Sequence, residues 1–171
     1  RHGDVYGLSS ADLQDLATLG DSAGGSSGLR MLRMEQRIDG RPVFQSETRF
    51  LVDRDGRLIK SLGQMVPHAR SMAPALGPLR LLTAEEAVAR LLQAAGRQAD
   101  AKDFAVQTAK GDGLLELSEN NEFVAGAVNA REVLFPLAPG LLVPAWSLVV
   151  FTSGEQDWYA MIDQQTGAVL W

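Results

Sequence analysis

The side chains best suited to chemistry are few. The chain has two histidines, His2 and His68, and no cysteine. A helical metallopeptidase site needs two histidines one turn apart to grip zinc and a glutamate to activate water, and neither histidine has a neighbour at that spacing. His68, set between Pro67 and Ala69, reads as a solvated loop residue and His2 as a frayed end. The lack of cysteine excludes disulfides, thiolate zinc sites and a cysteine nucleophile together. Gly24-Gly25-Ser26-Ser27-Gly28 matches in its letters the elbow that holds a nucleophilic serine on a strained strand-to-helix turn. Here it follows a predicted helix inside a Gly/Ser-rich connector, with no histidine base placed beside it, and reads as a linker.

Other candidates reduce to structure in the same way. Asp53, Asp55 and Gly56 resemble the start of a calcium loop, but the third acidic ligand and the distant glutamate are missing, and turn chemistry accounts for them. Glu85 and Glu86 are adjacent on a predicted helix and point in different directions, so capping and dipole duties suffice. Trp146, Trp158, Tyr159 and Trp171 fall at predicted strand positions, where packing is the first reading and a partner-facing surface the second. No phosphate-binding glycine loop of standard spacing occurs. The expectation is a segment with no catalytic residue, no metal ligand and no cofactor of its own.

Composition narrows the partners. A net charge of −5 and a pI near 5.0 disfavour nucleic acid, which needs a concentrated basic surface. Arg30, Arg33, Arg37 and Arg41 cluster on one predicted hairpin, but Glu35 and Asp39 interleave with them, as on a solvated strand face. Hydrophobic residues at 46% and charged residues at 22% are ordinary for a globular chain. The longest apolar stretch, residues 141–151, is broken by Pro144 and Ser147 and falls short of the roughly 20 residues of a membrane helix. The opening Arg1-His2-Gly3-Asp4 suggests a signal peptide already removed or lying outside this segment. Trp171, directly after a strand-like run, suggests a chain that continues.

The elements that would position these residues follow from periodicity and punctuation. Ser10 as N-cap, Leu13, Leu16 and Leu19 at three-residue spacing, and Gly20 predict a first short helix. Alternation from Arg30 to Ile38, the Asp39-Gly40 turn, a return strand from Val43 to Val52, the turn at 53–56 and a third strand through Leu58, Ile59 and Leu62 predict a meander. Residues 67–78, with three prolines and Gly77, resist regular structure and mark a connector. Thr83 and Glu86 form a capping box for a second helix whose apolar stripe runs from Ala84 to Ala95 and ends at Gly96. Strands are then predicted around residues 114–117, 132–137, 145–151, 158–163 and 168–171. The expected fold is α+β, two tandem small units, each a helix packed on an antiparallel meander sheet, with boundaries at 1–66, 67–78 and 79–171.

Two stretches carry a resemblance. Met34-Glu35-Gln36-Arg37-Ile38-Asp39-Gly40-Arg41-Pro42-Val43-Phe44, continuing through residues 50–58, resembles the fungalysin/thermolysin propeptide pattern. Residues 133–137, 142–146 and 159–170 are similar to the PepSY-like half of such pro-regions. The positions carried over are Gln36, Gly40, Val43, Asp53, Gly56, Trp146, Asp163 and Gly167, as fold-defining rather than catalytic residues. The resemblance implies cystatin-like or PepSY-like units from a secreted zinc endopeptidase made as a zymogen. The partner would be the cognate metallopeptidase catalytic domain, on the same chain and holding the zinc, and this segment its inhibitor and folding chaperone. The rival expectation is a stand-alone PepSY-type cell-envelope binding module. By strand addition, a sheet edge, residues 67–78 or residues 120–130 could occupy the peptidase cleft.

Overall fold

The computed structural model describes residues 7–74, 80–111, 113–154 and 156–171. The chain divides into two compact units, one running to Ala73 and taking in Gly140–Leu142, the other formed by Pro74–Pro139 and Val143–Trp171. The division falls inside the segment that punctuation marks as a connector. His2 and residues 75–79 of that connector lie outside the described residues.

In the first unit the Arg30–Ile38 alternation forms strand β2, and Asp39 and Gly40, both at positive φ, turn the chain tightly into β3 (Arg41–Pro42). The return strand is shorter than the sequence predicts. A turn with Gln45 at φ 57° and Ser46 N–H donating to Val43 C=O breaks it, and β4 covers only Thr48–Val52. β5 (Leu58–Gly63) pairs with β4, and β1 (Leu16–Ala23) pairs with the other side of β2, giving the antiparallel order β1-β2-β4-β5 with β3 attached to β2.

The second unit starts with α3 (Ala84–Ala94), held by the reciprocal Thr83 and Glu86 capping box that the sequence predicts. Its stripe of Ala84, Ala87, Val88, Leu91 and Leu92 is buried in one cluster with Phe104, Leu117, Val128, Ala130, Trp146, Leu148 and Ile162 from the strands. Those strands are β6 (Phe104–Ala109), β7 (Leu114–Glu119), β8 (Val128–Ala138), β9 (Leu141–Val150) and β10 (Trp158–Asp163), in the order β10-β9-β8-β7-β6. β6 has no counterpart in the sequence prediction. Of the predicted strand at 168–171, a single bridge between Ile162 and Val169 forms, with backbone bonds from Met161 to Trp171 and from Leu170 to Met161.

The expected fold class is corrected here. Among the described residues the protein is mostly β, with 46% in strands and 16% helical, two antiparallel sheets of five strands and three short helices. The units are not helix-on-meander pairs of the cystatin-like or PepSY-like kind. The predicted first helix reduces to α1 (Ser10–Gln14), capped by Ser9 rather than Ser10, and Leu16 and Leu19 belong to β1 instead. Thr18, Gly20, Asp21 and Ser22 are poor helix formers, and residues 16–23 gain more by pairing along β2 from Gln36 to Arg30. A four-residue α2 (Ala69–Met72) also forms where the sequence predicts no regular structure.

Candidate functional site

The eight residues carried over from the resemblance occupy three separate places. Gln36 is fully buried; its side-chain amide donates to Val66 C=O at 2.9 Å and its carbonyl accepts from Val66 N–H at 2.6 Å, tying β2 to the segment after β5. Val43, also buried, donates its N–H to Gln36 C=O at 2.8 Å, while Gly40 is the second turn residue between them. Asp53 caps the β4–β5 turn by accepting from the N–H groups of Asp55 and Arg57 at 2.9 and 2.8 Å, with Gly56 at φ 77°. In the second unit the Trp146 indole donates to Leu82 C=O at 2.9 Å. The Asp163 carboxylate accepts from Gln165 and Thr166 N–H at 2.7 and 2.8 Å. Gly167 sits at φ 74°, where a Cβ would press on Leu82 and Arg90. Each of these arrangements shapes backbone; none presents a reactive atom.

A polar cluster that the sequence reading missed lies at the start of the first unit. Asp12 and Asp15 are both buried. The Asp12 carboxylate accepts from the Ser9 N–H and hydroxyl at 2.7 and 2.8 Å, and His68 Nδ1 stands 3.9 Å away. Burial pushes the Asp12 carboxyl up, but the two Ser9 hydrogen bonds and the contacts with His68 outweigh it and hold the group below its ordinary value. Serine, aspartate and histidine are thus together, but both partners address the same carboxylate oxygen. The Ser9 hydroxyl proton goes to Asp12 and not to the imidazole, so the relay of a hydrolase triad is not formed. Beside it Arg70 binds Asp15 at 2.5 Å and Asp39 at 3.0 Å, and these two hydrogen-bonded carboxylates raise the guanidinium pKa. The Ser9-x-x-Asp12 spacing was the available signal for Asp12; Arg70 and Asp15, 55 residues apart, had none.

The remaining sequence candidates are also placed by the structure. Ser26 of the elbow-like motif lies in a three-residue 3-10 turn between β1 and β2, and Ser27 Oγ donates to Gly24 C=O at 2.6 Å, so the context is strand-to-strand. Within residues 120–130, Phe123 lies under the Arg97 guanidinium at 4.4 Å and packs on Trp158 at 5.0 Å. Arg97 and Phe123 line a polar recess of about 380 Å³ with Gln98, Asn121 and Ser153. Among the described residues no group of three or more His, Cys, Asp or Glu could hold a metal ion.

The surface best suited to a partner is the end of the first sheet. β5 is terminal in the strand order, and Ile59 and Leu62 on it are 54% and 56% exposed. Strand register sets Arg33, Arg49 and Leu62 in one row, and Met31, Leu51 and Lys60 in the next row of the same face. Arg33 grips both Glu47 oxygens at 3.0 Å, and Arg49 shares one at 3.2 Å. The Arg33 hydrogen bond leads in holding the Glu47 carboxyl below its ordinary value. The face therefore combines a terminal strand, exposed aliphatic groups and an excess of cations. The arginine cluster is correspondingly split: Arg33 belongs to this face, Arg30 pairs with Asp21 and Arg37 with Glu35.

Among the described residues no helix is long and apolar enough to cross a membrane. No family model matches the chain, and no curated protein matches it.

Proposed function

We propose that this chain is a non-catalytic protein-binding segment, acting as the inhibitor and folding chaperone of a secreted zinc metalloendopeptidase, in the manner of a zymogen pro-region. The observation that carries the reading is the terminal strand β5 with Ile59 and Leu62 exposed beside it. Peptidase clefts hold substrates as extended strands, so a strand edge is the complementary shape. The likeness of residues 34–44 and 50–58, and of 133–137, 142–146 and 159–170, to pro-region patterns supports the choice of partner. Covalent attachment to the catalytic domain would supply a local concentration of order millimolar, so modest intrinsic affinity keeps a cleft closed until cleavage releases the segment.

The test adds the purified chain to the catalytic domain of a fungalysin-type zinc endopeptidase and follows peptide cleavage and refolding yield. The expected result is slower cleavage and a higher yield of active enzyme. Unchanged values for both reject the proposal, and binding without inhibition points instead to a stand-alone binding module.

A further inference from the structure

We propose that β5 accepts an acidic, extended segment of a protein partner as an added strand, and that Lys60 and Arg49 select that segment by charge. This rests on the reading of the chain as a binding segment and names the chemistry of what it binds. A terminal strand directs a row of backbone N–H and C=O groups away from its neighbour, and a further strand satisfies them at a spacing of about 5 Å. Side chains of such a strand on the Arg49 face would stand beside Leu62 and, two residues along, beside Lys60. Arg49 lies one strand further in, roughly 10 Å from the added backbone, within reach of its own long side chain.

The charges favour an acidic occupant. Glu47 is shared by Arg33 and Arg49, so one carboxylate answers two guanidiniums, and among the described residues no acidic group pairs with Lys60. The turn before β5 does not offset this, because Asp53 and Asp55 alternate there with Arg54 and Arg57. The cation excess stands on a chain of net charge −5, so it is a local feature of this face. It also disfavours a second copy as occupant, since β5 against β5 would place two Lys60 ammonium groups on one ribbon; an edge lysine is a known guard against self-pairing. The fitting segment has an apolar residue opposite Leu62 and a carboxylate opposite Lys60.

The test uses the whole chain and two synthetic peptides of about ten residues, a usual upper length for a strand, one with Glu and Val taking turns at every second position and Thr between them, so that both stand on one face, the other with Lys in place of Glu. The Glu peptide is expected to slow amide hydrogen exchange across residues 59–63, with affinity falling at least tenfold, roughly, when salt is raised to about 0.5 M. The Lys peptide is expected to give no protection. Lys60→Gln and the double variant Lys60→Glu/Arg49→Glu, both at exposed positions and checked for unchanged circular dichroism, should weaken the Glu peptide progressively, the double variant by about tenfold or more. Equal protection by both peptides, protection confined to other strands, undiminished affinity in the double variant, or binding to phosphatidylserine vesicles with none to the Glu peptide would each overturn the inference. If the double variant loses the peptide but inhibits the peptidase as wild type does, β5 is not the inhibitory surface. If wild type binds the peptide but never inhibits, the proposed function fails and this inference stands.

Discussion

The two units are held together by different physics. In the second, α3 and five strands enclose a cluster of fifteen buried apolar residues, each side chain contributing about 1.5–3 kcal/mol when large and fully buried. In the first, the buried hydrophobic residues among those described are Ile38, Val43, Ala69 and Leu142, and buried polar groups do much of the joining: Asp12, Asp15, Gln36, Ser46 and Thr48. Apolar burial is non-directional and insensitive to pH, whereas polar ties depend on geometry and protonation. The contrast teaches that the first unit is the responsive part of the molecule and the second its stable part. It also accounts for the exposure of Ile59 and Leu62, since the first sheet lacks a large apolar layer to bury its terminal strand.

The contrast is sharpened most by removing volume from the second unit. Leu92→Ala, at a fully buried position on α3, should cost about 2–5 kcal/mol, read as a lower urea midpoint with loss of amide protection in β7 to β10. Next, Gln36→Leu keeps the volume but leaves Val66 N–H and C=O without their partners, with an expected loss of about 2–3 kcal/mol. Its exchange protection should fall in β2 and β5 while that of α3 is retained. If α3 loosens equally, the contrast is broken.

Acid should separate the units further. The carboxyls of Asp12 and Glu47, whose ordinary values are 3.8 and 4.5, are both depressed in the folded chain. A depressed carboxyl contributes stability that is present above its unfolded pKa and lost as pH falls through the folded value. First-unit amides should therefore lose protection as the pH drops below about 4, with the apolar core of the second unit still protected; the effect is shared between a buried group and a solvent-screened one and should be modest. Hydrogen exchange across a pH series reads this directly. The smallest effect expected is that of Thr83→Ala, which removes one half of the α3 capping box and should cost about 1 kcal/mol in thermal unfolding.

Local chemistry was readable in the sequence where it acts over short range. The Thr83 and Glu86 capping box, the Asp39-Gly40 turn and the Asp53 to Gly56 turn all depend on residues within four positions of each other, and the structure has them where the sequence predicts. The fold class was misread because Leu13, Leu16 and Leu19 carry a helical spacing that strand pairing with β2 overrides. β6 was missed because past Phe104 its side chains are exposed and its alternation, Phe104, Val106 and Thr108, is short and only partly apolar. The ties that define the first unit were also hidden, since Gln36 to Val66 and Asp15 to Arg70 join positions 30 and 55 residues apart. The β5 face needed register as well as sequence, because Arg33, Arg49 and Lys60 come from three strands.

The most direct measurement is hydrogen exchange of the whole chain, alone and mixed with the catalytic domain of a fungalysin-type zinc endopeptidase whose cleavage rate is followed in parallel. Protection gained at residues 59–63 together with slower cleavage is the predicted result. An unprotected β5 beside an enzyme that cleaves at its full rate would contradict it.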